Sequence, residues 1–157
     1  HPKLARTLAR MDGKPMIPYY IDAPPRYVAP VVLAAREWNR GSGSGLPFKR
    51  VGSIAQARVV IRSGTYPGKW CALTMWRDPR NPYGRITIRF NETYTRQCGD
   101  TVTLKSTACH ELGHVLYGPT REMHNTRPHS CMNYLSGSNR PDSTDRRVIN
   151  QTKAGTP

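Results

Sequence analysis

The apolar positions of this chain change period several times, and each change marks an element. Ile17-Pro18-Tyr19-Tyr20-Ile21-Asp22 reads as a first strand, closed by Ala23-Pro24-Pro25. Val28, Val31, Val32, Ala35 and Trp38 recur at helical spacing, so a helix is expected from residue 27 or 30 to residue 40, ended by the Gly/Ser run 41–45. Strands are expected over 48–51, over 57–62 through the β-branched run Val59-Val60-Ile61, and over 70–76. Residues 77–84 have turn chemistry, and 85–90 alternate polar with apolar, as a half-buried strand does. The segment to Asp100 has no period, and a helix over 103–116 follows. Pro141-Asp142-Ser143 opens a closing helix with Asp142 as its cap and Val148 and Ile149 on the buried side. Residues 1–16 are a basic arm, in which Leu4, Leu8 and Met11 could at most make one amphipathic turn, and 151–157 read as a tail.

At 157 residues the chain is expected to be one domain of the α+β class, with a core of useful size. Apolar content of 37% beside 13 Gly and 14 Pro fits a loop-rich secreted protein better than a helical bundle. No apolar run approaches a membrane span. No leader opens the chain, so an exported protein is expected to be a processed form. The net charge of +14 favours anionic partners such as cell-surface polymers or acidic protein segments. The basic residues are scattered, and no aromatic-studded RNA motif or recognition helix stands out, so nucleic acid is disfavoured as a partner.

The chemistry concentrates in Cys109-His110-Glu111-Leu112-Gly113-His114. On a helix, H-E-x-x-H puts His110 and His114 on one face, where both can grip one zinc ion. Glu111 lies beside them, placed to take a proton from a water that the metal activates. Shuffling five His and four Glu through this length yields the pentad by chance in only about 0.4% of cases. A catalytic zinc needs a third protein ligand. The downstream candidates are Glu122, His124, His129, Asp142 and Asp145, and the absence of any Glu after Glu122 excludes a Glu ligand from a later helix.

Here the chain resembles the metzincins, whose signature H-E-x-x-H-x-x-G-x-x-H is followed by a Met-turn. Ser130-Cys131-Met132-Asn133-Tyr134 matches the S-x-M-x-Y form of that turn. His124 precedes Met132 by eight residues, the spacing of a matrixin-like member, so His124 is expected as the third ligand, with His129 second. The chain departs from the signature. Read strictly, Gly would fall at Tyr117 and His at Thr120, whereas His124 stands about four residues later. Gly118 can still end the helix in the left-handed region, and Pro119 prevents its continuation.

The resemblance implies a twisted mixed sheet with a backing helix, a zinc helix, a Met-turn and a C-terminal helix, divided into an upper subdomain (17–114) and a lower one (115–157). It implies a secreted, monomeric zinc endopeptidase acting on a protein or peptide substrate, with Glu111 as base and Met132 as an apolar floor. Tyr134 would stabilise the oxyanion, the alternative being a core tyrosine. Ala72, Leu73 and Thr74 would form the edge strand along which substrate pairs.

The four cysteines (Cys71, Cys98, Cys109, Cys131) lack C-x-x-C spacing, which argues against a thiolate zinc site and leaves three pairings open. A Met-turn packed beneath the metal would make Cys109 and Cys131 neighbours and leave Cys71 with Cys98; free thiols are the alternative. The residue pattern leaves structural calcium undecided. Two rival readings remain: a cationic cell-envelope module with a non-catalytic zinc clamp, and a nucleic-acid binder in which the pentad is accidental.

Overall fold

A computed structural model of the chain describes residues 10–11, 14–40, 47–81, 84–94, 101–119, 124–133 and 136–154. Arg10–Met11 (β1) and Lys14–Pro15 (β2) pair antiparallel, so the described part of the arm is a short ladder and not an amphipathic turn. Leu4 and Leu8 lie outside the described residues.

Five further strands form one mixed sheet: Ile17–Asp22 (β3), Phe48–Arg50 (β4), Val59–Gly64 (β5), Ala72–Trp76 (β6) and Ile86–Asn91 (β7). Their order is β4-β3-β5-β7-β6, with parallel pairing throughout except between β6 and β7. β5 is flanked by two parallel neighbours, and Val59, Val60 and Ile61 are all buried. Burial on both faces is why its sequence is an unbroken β-branched run and not an alternation. β7 alternates as expected, with Ile86, Ile88 and Phe90 in the core and Thr87 and Arg89 half-buried. β5 starts two residues later than its composition predicts, because the Ala57 amide closes the short 3-10 turn Ile54–Gln56 on the Ile54 carbonyl.

Three helices accompany the sheet. Val28–Asn39 (α1) follows a single 3-10 turn at Pro25–Tyr27, and its stripe Pro30, Val31, Ala34, Ala35 and Trp38 is buried. Thr101–Tyr117 (α2) packs against α1 and against β6. The Trp38 indole N–H donates to the Cys109 carbonyl at 2.8 Å and fixes the two helices in register. Burial of each large core side chain, such as Ile61, Ile88 or Leu112, stabilises this arrangement by about 1.5–3 kcal/mol. α2 ends at Gly118, whose φ of +93° is open to glycine and whose amide donates to the His114 carbonyl.

Ser143–Ala154 (α3) runs through residues 151–154, which were expected as tail. Gln151, Thr152, Lys153 and Ala154 contain no helix breaker, and the first one is Gly155. Asp142 caps α3 as expected: its Oδ1 accepts the Asp145 amide at 2.8 Å, and Asp145 Oδ2 accepts the Asp142 amide at 3.1 Å, a reciprocal capping box. The fold is α+β, a five-stranded mixed sheet with three helices.

Candidate metal centre

α2 carries His110 and His114 one turn apart, and His124, on the irregular segment 124–133, meets them. His110 Nε2 lies 3.1 Å from His114 Nε2 and 3.2 Å from His124 Nε2. One ligand atom from each of the three falls within 4.8 Å of the others. Two nitrogens bound to one zinc at 2.0–2.1 Å with a tetrahedral angle stand about 3.3 Å apart, so the spacing fits a shared ion.

The protonation pattern fits as well. His110 Nδ1 is 2.8 Å from the Cys131 carbonyl, which can only accept, so Nδ1 carries the proton and Nε2 of the neutral ring bears the lone pair. Burial lowers the His110 pKa, and burial together with the two neighbouring imidazoles lowers that of His114 to about 4. Neutral imidazole is the form that binds metal.

Glu111 is buried, and the Thr74 hydroxyl donates to its Oε2 and lies 3.1 Å from its backbone carbonyl. Burial pushes the Glu111 carboxyl up to about 7, against the opposing pull of the Thr74 hydrogen bond. The strand order makes β6 the sheet's edge, next to β7 alone among the described residues. Within it Ala72 faces the core, Thr74 reaches Glu111, and Leu73 is 42% exposed.

Met132 is fully buried against Gly113 of α2, in a turn whose Cys131 is joined to Cys109 by a disulfide. Cys71 is also disulfide-bonded, while Cys98 lies outside the described residues. Tyr134 lies outside them too. His129 is exposed in the turn before Ser130 and is not part of the histidine cluster.

Two features were not foreseen. Thr74 touches Glu111, and a buried Asp145 accepts hydrogen bonds from Tyr117, Arg127 and Ser130. The D-x-x-D spacing of Asp142 and Asp145 was the only local mark of the second. Tyr117, where the strict signature would have Gly, is the last residue of α2 and reaches Asp145 at 3.0 Å. No protein-family model matches the chain, and neither does any curated protein sequence. The three histidines form a set that could hold a metal ion.

Proposed function

We propose that the chain is a secreted zinc-dependent endopeptidase of metzincin-like build. The observation that carries this reading is the convergence of three imidazole nitrogens, with a buried carboxylate at Glu111, the residue that follows the first of them. Three nitrogens with one position left open are the donor set of a catalytic zinc, whereas structural sites are closed by four ligands, commonly with thiolates. The described cysteines are oxidised, so thiolates do not compete, and disulfides suit an extracellular compartment.

His110, His114 and His124 would hold the zinc, which would supply Lewis acidity towards the scissile carbonyl and a water pKa lowered to about 7. Glu111 takes the proton of the attacking water and hands it to the leaving amine. Thr74 orients the Glu111 carboxylate, and Tyr134 is the proposed oxyanion partner. An extended substrate adds along β6, the edge strand among the described residues, where the main chain of Ala72 and Thr74 faces away from β7 and Leu73 presents an exposed side chain. The charge of +14 favours acidic segments of a protein substrate. The rival reading, a cationic binding module with a metal clamp, gives the Glu111 carboxylate no task.

The test is metal content and casein cleavage of the wild type beside Glu111→Ala. Retained zinc with cleavage reduced at least about 100-fold is expected. Equal cleavage by both proteins would overturn the mechanism, and a wild type that takes up no zinc would overturn the metal assignment.

A further inference from the structure

His110 and His114 take their spacing from a 17-residue helix. His124 is exposed and stands on an irregular segment, so its position comes from the contacts of that segment and not from a regular element. Those contacts lead away from the histidines to a buried charge. Asp145 is 0% exposed, and its carboxylate is fully engaged. Oδ1 accepts Arg127 Nη2 at 2.8 Å and the Tyr117 hydroxyl at 3.0 Å, while Oδ2 accepts the Ser130 hydroxyl at 2.5 Å and the Asp142 amide at 3.1 Å. A carboxylate offers about four such positions, so none is left over.

The direction of this chain is set by chemistry. The carboxylate can only accept, so the single proton of Ser130, also fully buried, points to Asp145 and its lone pairs point the other way. They accept the Met132 amide at 3.0 Å and Asn125 Nδ2 at 3.0 Å. Asn125 Oδ1 accepts the Arg127 amide at 2.9 Å, and the Asn125 amide donates to the Met132 carbonyl at 3.4 Å. Asn125 is therefore gripped through both its backbone and its side chain, and it is the residue bonded to His124.

We propose that Asp145, acting through Ser130 and Asn125, is the positioning residue for His124 and thereby sets the affinity of the metal centre. The inference rests on the reading of His124 as a ligand. Satisfying Asp145 as a buried ion pair needs only Arg127 and the cap of α3; the arm through Ser130 to Asn125 goes further, to the neighbour of the third donor. The same Ser130 oxygen holds the Met132 amide, so one buried charge registers the ligand loop and the turn that carries Met132 together.

The deciding measurement is zinc affinity at neutral pH, by competition with a chromophoric chelator, for wild type, Ser130→Ala and Asn125→Ala. The visible spectrum of the cobalt-substituted proteins and the thermal midpoint of the metal-free proteins accompany it. Both variants are expected to stay folded, to bind zinc about 10–100-fold more weakly and to show an altered cobalt spectrum. Ile61→Val, a core change in β5, is the control: it should lower the midpoint and leave affinity within about twofold. Asp145→Asn strips Arg127 of its buried partner and should lower stability as well, so the two milder variants decide. Wild-type affinity in both of them would overturn the relay while leaving the metal centre standing. A wild type without zinc affinity would overturn both.

Discussion

A methyl group on the α-carbon of residue 113 would overlap the sulfur of Met132, with Trp38 Cζ2 next at 2.8 Å. Gly113 is thus a notch in α2 that admits the turn carrying Met132, and its neighbour in sequence is His114. Gly113→Ala should cost about 1–3 kcal/mol in overpacking, less about 1 kcal/mol regained from helix propensity. Denaturant titration reads this. In Gly113→Ala/Met132→Ala the two losses should sum to less than their separate values, because truncating Met132 vacates the space. Strict additivity would mean that the notch has no energetic role.

Thr74→Val keeps the shape of the side chain and removes the hydroxyl that holds Glu111. One lost hydrogen bond to a charged group is worth about tenfold in rate, so kcat against a peptide substrate should fall by about that factor. KM and zinc content should not move, and Thr74→Ser should restore most of the rate. Full kcat in the valine variant would show that the contact leaves the base unaffected.

The pH dependence of stability should carry the signature of Asp142. Burial pushes its carboxyl up, but hydrogen bonds from Arg127 and from the Asp145 amide, with the Arg127 charge, outweigh burial and hold it below the ordinary range. A depressed folded pKa contributes stability that is present above the ordinary value of about 3.9 and lost as pH falls through the lower folded value. The thermal midpoint should therefore drop steeply below about pH 4, and Asp142→Asn should start lower and flatten that drop. A variant curve parallel to wild type would remove Asp142 from the acid transition.

Replacing Cys109 and Cys131 together by serine opens a loop with a sequence separation of 22. The chain-entropy account assigns that loop about 3 kcal/mol. Because the Cys131 carbonyl also orients His110, the double variant should bind zinc more weakly as well as unfold earlier. Unchanged affinity would separate the bridge from the metal centre.

How much of this was legible beforehand depended on whether a role was local. The faces of His110, Glu111 and His114 follow from helical period alone, so that part of the site could be read directly. His124 could be picked only by its distance from Met132, since nothing in its own surroundings marks it. Val59-Val60-Ile61 identified a buried strand, but its parallel neighbours are fixed by returning segments far along the chain. For Thr74 the strand was expected and the edge position was found. Its contact with Glu111 was not readable, because alternation tells which way a side chain points and not what waits there. Asp145 was hardest: its partners Tyr117, Arg127 and Ser130 come from two segments, the end of α2 and residues 124–133, that meet only once α3 folds back.

The Cys109–Cys131 bridge encloses His110, His114 and His124 in one covalent ring. A backbone scission anywhere between His114 and His124 would leave two fragments still tethered, with all three donors in a single molecule. For a protein whose proposed trade is cutting peptide bonds, self-inflicted nicks in that stretch would not scatter the imidazoles.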